Sequence, residues 1–309
     1  MSGHAAAGGR AGAKPGQVDV IAVFGPTASG KTVVAEAIAD SCGGEIVSCD
    51  AMQCYAGLPI LTNQPSRPTE LVGIWPLATS GSVGEYQELA HAAIDAIVAG
   101  GRIAVVCGGT GLYLRAALAD LYLPPAPPDG LREEIEELCR RLGPAAAYAE
   151  LGRRDPAAAA TVHPNDRRRV VRALELHALG ESLTPDRDRL WARKYRLPSL
   201  VVGLEVGRND LARRIDARAV EMWKRGAEGE AAVALAGELS EQARQAIGLR
   251  EVEEGLARDE WIASVALRTR QYARRQRTWL RKVPGLVTVE AERPPAATAD
   301  AILQMARAR

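Results

Sequence analysis

Residues 25–32 read Gly25-Pro26-Thr27-Ala28-Ser29-Gly30-Lys31-Thr32, a full G-x-x-x-x-G-K-[ST] phosphate loop. Such a loop works only between a buried strand and a helix, and its flanks satisfy that demand. Val18–Phe24 (VDVIAVF) is a short β-branched apolar run, and Thr32–Ala39 has helical character. The glycines let backbone N–H groups turn inward onto phosphate oxygens, and the following helix adds the positive end of its dipole. Lys31 supplies a point charge, and the Thr32 hydroxyl is suited to ligate Mg²⁺. The loop specifies a phosphate chain with Mg²⁺ without saying which one, because ATPases, kinases and some transferases share it.

The rest of the first half continues the alternation of strand and helix. Glu45–Cys49 (EIVSC) and Arg102–Cys107 (RIAVVC) read as further buried strands, with an amphipathic helix over Gly84–Ala99 between them. The expected fold is α/β, a P-loop NTPase-like parallel sheet flanked by helices. Pro124, Pro125, Pro127 and Pro128 mark a linker, and only helical periodicity follows from Leu131 to about Trp191. A strand returns at Leu200–Val206, and helices run from Asp210 to about Lys282. The expected organisation is a disordered tail (1–17), a core (18–122 and 198–285), a helical insertion domain (123–197) and a C-terminal tail (286–309).

Two loops follow the second and third strands. Asp50 stands directly after EIVSC, where the carboxyl ends of parallel strands face a ligand crevice. It has three candidate roles with equal claim: holding Mg²⁺, accepting a proton, or capping a helix. In the segment Asp50-Ala51-Met52-Gln53, Gln53 carries an amide able to bond an adenine edge. Gly108-Gly109-Thr110-Gly111 permits close backbone approach, and the Thr110 hydroxyl is placed to donate to an oxyanion.

Net charge is +1, so any nucleic-acid surface must come from local patches. Two exist. Arg167, Arg168, Arg169 and Arg172 follow His163-Pro164-Asn165-Asp166. Arg268, Arg270, Arg274, Arg275, Arg277, Arg281 and Lys282 lie in a stretch with no acidic residue from Ile262 to Lys282, interleaved by Tyr272 and Trp279. Taken alone, each run reads as a solvated helix face. Five scattered cysteines form neither a disulfide framework nor a zinc site, which suits a reducing compartment. The first 17 residues have no apolar run, and nothing elsewhere has the length of a transmembrane helix.

Together, GPTASGKT, the Asp-x-Met-Gln-x-Tyr segment at 50–55 and Gly-Gly-Thr-Gly-Leu-Tyr at 108–113 resemble the tRNA dimethylallyltransferase family in kind and order. Further matches are His163-Pro164-Asn165-Asp166 with Arg168-Arg169-Val170-Val171-Arg172, then Arg213–Arg218, Ala246-Ile247-Gly248 and Thr269–Trp279. The likeness runs from about Val18 to Lys282. It departs at Ala56, where the family usually has Arg, and at Leu249, where it often has Tyr. It also departs before an expected strand at Val72–Leu77, where a short stretch is missing.

The resemblance implies transfer of a dimethylallyl group from dimethylallyl diphosphate to the exocyclic amine of the adenosine 3′ of the anticodon. Gly25, Pro26, Thr27, Ala28, Ser29, Gly30, Lys31 and Thr32 would hold the diphosphate, with Mg²⁺ on Thr32. Asp50, Thr110 and Arg214 would be catalytic. Asp50, Ala51, Met52, Gln53, Thr110, Arg168, Arg169, Val170, Val171, Arg172, Arg274 and Arg275 would meet tRNA. A cytoplasmic monomer is expected. The alternatives are a P-loop kinase of a nucleotide or small molecule, an RNA-binding NTPase without transferase chemistry, and a prenyltransferase acting on free AMP.

Overall fold

Five short strands form one sheet: β1 (Val20–Phe24), β2 (Glu45–Ser48), β3 (Ala104–Gly108), β4 (Ser199–Glu205) and β5 (Val287–Glu290). In the computed structural model, which describes residues 18–124, 127–128, 130–184, 190–291 and 293–309, their order is β2-β3-β1-β4-β5 and every pairing is parallel. Every residue of β1 and β3 is buried, which is why both read as unbroken apolar runs. These two strands are neighbours, and their ladder closes at Phe24↔Gly108. The loops that follow them therefore leave the same edge of the sheet side by side.

Helices α1 (Lys31–Cys42), α2 (Val83–Ala99) and α3 (Gly111–Leu118) follow the first three strands. The stripe of α2 is Tyr86, Ala90, Ile94 and Ile97, at helical spacing, and the Ser82 hydroxyl caps its first turn by accepting the Glu85 N–H. Residues Leu121–Ala192 form a separate compact unit whose described residues include helices α4 (Leu131–Leu142), α5 (Pro144–Arg154), α6 (Pro156–Thr161) and α7 (Arg167–Ala178). This unit closes its own core with Ile135, Leu151, Val162, Val170, Val171 and Leu174. Asp155 caps α6 and Asp166 caps α7.

The chain then returns to the first unit through α8 (Arg208–Lys224), α9 (Ala227–Leu235), α10 (Leu249–Glu253), α11 (Arg258–Leu280) and α12 (Pro295–Arg307). Helices α8 to α11 pack around the fully buried Trp261, with Leu58, Leu61, Ile215 and Met222 against it. Its indole N–H donates to the Gly248 carbonyl at 3.2 Å. Truncating such an anchor to Ala costs about 3–5 kcal/mol. Among the described residues no helix is long and apolar enough to cross a membrane.

Two expectations are corrected. Residues 286–309 are not a tail: β5 is the fifth strand, and Ala299, Ile302, Leu303 and Ala306 of α12 share a core with Ile21, Ile38 and Val202. The α12 stripe contains only two large apolar residues and the edge strand β5 alternates half-buried with exposed, so neither gives a strong periodic signal. Residues 72–77 form no strand beyond one bridge, Tyr55↔Trp75, because Gly73 turns at φ +66° and Pro76 lacks an N–H for a ladder. The expected tail at 1–17 lies outside the described residues.

Candidate active site

The phosphate loop bends through two left-handed residues, Ala28 (φ 64°) and Gly30 (φ 87°). Left-handed backbone at a non-glycine residue costs roughly 1–2 kcal/mol and is tolerated where function fixes the loop. The bend carries the chain into α1, which starts with no side-chain cap, so its first-turn N–H groups are open to an anion. Lys31 and Thr32 are the first two residues of that turn, both half-buried. Ser29 Oγ is buried with no hydrogen-bond partner among the described residues. A loop with open donors and an orphaned hydroxyl is the polar half of a phosphate site.

The loops after β2 and β3 are locked to one another. Asp50 folds back so that its Oδ1 accepts the Met52 N–H at 3.1 Å, and the Ser48 hydroxyl accepts the Asp50 N–H at 3.3 Å. Thr110, at the start of α3, accepts the Ala51 N–H on its Oγ1 at 3.1 Å, and that oxygen lies 3.2 Å from the Tyr272 hydroxyl. Asp50 and Thr110 are thereby held on one wall of a cavity of about 330 Å³ that begins at Thr27 of the phosphate loop. Its apolar wall is Met52, Leu61, Ile215, Ala219, Met222 and Val265; Arg218, Arg268, Tyr272 and Arg275 complete the polar side.

Electrostatics sort these groups. Arg218 donates from Nη1 to Thr27 Oγ1 at 3.1 Å. Burial lowers its pKa and the nearby Asp50 opposes the fall, so a cation stands beside the phosphate loop facing an acid. Burial, then Asp50, raises the Tyr272 hydroxyl well above its ordinary value, so it stays neutral. The Arg275 guanidinium lies 5.8 Å from the centre of the Tyr272 ring.

Of the residues singled out in the sequence, Thr27, Asp50, Ala51, Met52, Thr110 and Arg275 meet at this cavity. Arg274, one residue from Arg275, turns about 100° away. It lines a second groove of about 490 Å³ between α8 and α11, with Arg208, Arg270, Arg277 and Arg281.

Other expectations change. Arg214 is exposed and does not line the cavity; Arg218, one turn on, does. Gln53 is not free to read a base. Its Oε1 accepts from the Ser48 hydroxyl at 2.9 Å, and its Nε2 donates to the carbonyls of Thr62 and Asn63 at 3.3 and 2.9 Å, so the amide braces its own loop. Val170 and Val171 are buried in the core of the Leu121–Ala192 unit and present no surface to RNA. Arg172 is engaged with Glu175 and the Pro124 carbonyl.

Arg218 and Gln276 carried no role of their own in the sequence, and Arg268 was read as part of the basic patch rather than of this cavity. Arg218 was findable, since it falls in the helical stripe of Ile215, Ala219 and Met222.

Among the described residues no group of three or more His, Cys, Asp or Glu side chains could hold a metal ion. Mg²⁺ in phosphate sites takes most of its ligands from phosphate and water, so one loop hydroxyl at the position of Thr32 fits it.

Residues 53–283 match the family described as IPP transferase, and residues 18–74 match the one described as Isopentenyl transferase. A tRNA dimethylallyltransferase of Streptomyces coelicolor is 37% identical over 86% of this chain and 88% of its own. The solved tRNA isopentenylpyrophosphate transferase of Bacillus halodurans superposes with TM-score 0.67 at 30% identity, covering 94% of this chain and 96% of that one. A eukaryotic dimethylallyltransferase described as acting on tRNA superposes with TM-score 0.72 at 26% identity, over 88% of this chain and 73% of that one. With the family match extending over most of its length, and with Thr27 of the phosphate loop, Asp50 and Thr110 meeting at one cavity, this chain belongs to the IPP transferase family.

Proposed function

We infer that this protein transfers a dimethylallyl group from dimethylallyl diphosphate to N6 of the adenosine 3′-adjacent to the anticodon, in tRNAs reading codons that begin with U. Diphosphate is released. The protein acts in the cytoplasm as a monomer. One observation carries the reading: a single cavity has Thr27 of the phosphate loop at one end, an apolar wall large enough for a short alkyl chain, and an acid and a hydroxyl between them.

The chemistry follows from the groups. The adenine N6 lone pair attacks C1 of the prenyl group, a C–N bond forms, and the C1–O bond to diphosphate breaks. The N6 proton passes to Asp50, whose Oδ1 is already held by Met52 N–H. An aromatic amine is a weak nucleophile, so the departing diphosphate needs the most help. Arg218 and the Thr110 hydroxyl line the cavity where that charge grows, and Lys31 and the open first turn of α1 are proposed to hold the diphosphate from the phosphate loop. Mg²⁺ on Thr32, when bound, supplies further charge stabilisation. Met52, Leu61 and Ile215 exclude water from the allylic carbon.

The target adenosine must leave its stack to reach Asp50. Arg274, Arg277 and Arg281 in the α8–α11 groove are proposed to hold the RNA backbone. Arg168 and Arg169 of α7, on the surface of the Leu121–Ala192 unit, are proposed to add phosphate contacts.

Incubation with an anticodon stem-loop and dimethylallyl diphosphate, followed by nucleoside mass analysis, tests the reading. Prenylated adenosine is expected. Replacing Asp50 by Ala is expected to cut turnover by about 10²–10⁴-fold while stem-loop binding stays within twofold of wild type. Turnover undiminished in Asp50→Ala would remove Asp50 as the proton acceptor. Phosphoryl transfer from ATP in place of prenyl transfer would overturn the whole reading.

A further inference from the structure

Gln276 of α11 takes no part in the steps above, yet it is one of the most completely used side chains in the molecule. Only 2% of its surface is exposed. Its Oε1 accepts the Thr27 N–H at 2.8 Å, and its Nε2 donates to the Gly109 carbonyl at 2.9 Å. Thr27 belongs to the phosphate loop and Gly109 directly precedes Thr110. The β1–β3 ladder stops at Phe24↔Gly108, so beyond that point one amide does the joining that strand pairing does below it.

The loop is shaped to admit the clamp. A Cβ on Gly109 would stand 2.1 Å from Gln276 Nε2, and a Cβ on Gly111 would stand 2.2 Å from the Trp279 ring. Gln276 and Trp279 are three residues apart on one face of α11, with Tyr272 a turn earlier, 3.2 Å from Thr110. Two glycines of the Gly108–Gly111 run therefore answer to side chains more than 160 residues away.

We propose that Gln276 is a positioning residue for prenyl transfer. It fixes the spacing between the loop that holds the donor's diphosphate and the Gly109–Thr110 segment, which orders the acceptor side. The proposal rests on the reading of the site given above. The chain of contacts is continuous: Gly109 carries Thr110, Thr110 Oγ1 holds Ala51 N–H, and Ala51 follows Asp50. Loss of the clamp frees the two loops to drift apart, and in-line displacement is steeply sensitive to drift, with about 1 Å worth up to 10²-fold in rate. Only Gln both accepts from an N–H and donates to a carbonyl at this reach. Met has the length without the bonds, and an ionised Glu turns lone pairs onto the Gly109 carbonyl.

The test compares wild type with Gln276→Met and Gln276→Glu at pH 8, under saturating stem-loop RNA and varied dimethylallyl diphosphate. Stem-loop affinity is measured separately without donor. For each variant kcat is expected to fall about 10–100-fold and donor KM to rise, while RNA affinity stays within twofold of wild type and the folded spectrum is retained. If Gln276→Met does not fold, the near-isosteric Gln276→Glu decides. A folded variant with kcat and donor KM both within twofold of wild type overturns the proposal. So does a loss of RNA affinity as steep as the loss of kcat, which would mean that α11 as a whole had moved. Wild-type protein that forms no prenylated adenosine sinks both this proposal and the reading of the site. Active wild type with active variants sinks only this one.

Discussion

Helices α7 and α11 both carry runs of arginine, and the two runs do different work. In α7 an acid lies within the run's reach: Glu175 is fully buried, and its carboxylate accepts from Arg132 Nε at 2.9 Å and from Arg172 Nη1 at 3.0 Å. Arg132 thereby ties α4 to α7, and Arg172 pairs with the same carboxylate within α7. Along α11 from Arg268 onward the acids lie on other helices and, among the described residues, reach two positions. Arg268 pairs with the buried Glu251 of α10, and Arg270 pairs with Asp216 of α8. Arg274, Arg277 and Arg281 have no acidic partner among the described residues and line one groove. A guanidinium that a buried acid meets becomes an internal tie, and the arginines that none meets are the ones we propose to hold RNA.

The comparison is most open to breakage at Glu175. Replacing it by Ala removes the buried carboxylate that Arg132 and Arg172 share. Breaking a buried pair costs about 3–5 kcal/mol, and partial solvent access to both arginines brings the expected loss to about 2–3 kcal/mol. Chemical denaturation of wild type and Glu175→Ala measures it. A change below about 0.5 kcal/mol would return the α7 arginines to the surface class.

The α11 side is sharpened by neutralising Arg274, Arg277 and Arg281 to Gln together. Stability should move little, since none is paired, while stem-loop affinity should fall roughly tenfold or more at low salt. The salt slope of binding should shrink by about 2, at ~0.7 per lost phosphate contact on a single strand. Neutralising Arg168 and Arg169 instead should give a smaller fall, because Arg169 also pairs with Asp166 at 3.6 Å. An unchanged salt slope in the α11 triple variant would make that groove a solvated surface.

How much of this was legible in the sequence depends on distance along the chain. The phosphate loop, its flanking strands and the parallel α/β class are local facts, and β1, α1 and β3 stand within a few residues of where periodicity puts them. Asp50 and Thr110 were legible as residues at strand ends. Their shared wall was not, since it depends on Thr110 Oγ1 reaching Ala51 N–H across 59 positions. Gln53 was misread because a side-chain amide has the same letter whether it faces a ligand or its own loop, and here Thr62 and Asn63 take it. Arg214 and Arg218 differ by one helical turn, and the apolar stripe of Ile215, Ala219 and Met222 was the local signal that favoured Arg218. Residues 286–309 were missed because an alanine-built stripe carries little signal until α1 is packed on it.

The smallest expected effect lies between α10 and α11, where Glu251 and Arg268 reproduce the internal tie of α7 beside the open groove. Burial alone would raise the Glu251 carboxyl. The bonds from Arg268 Nη1, both 2.9 Å, and from the Ser264 hydroxyl at 3.0 Å outweigh burial, and its pKa is lowered. A carboxyl whose pKa is lower folded than unfolded contributes stability that is complete above the unfolded value and is lost as pH falls through the folded one. As pH falls below the ordinary carboxylate range, wild type should therefore lose stability that Glu251→Gln does not lose, because the amide does not titrate. Parallel denaturation series at pH 7, 5 and 4 measure the difference. Equal pH slopes in the two proteins would mean that Arg268 is held by packing alone, and that α11 contains no counterpart of the Glu175 tie.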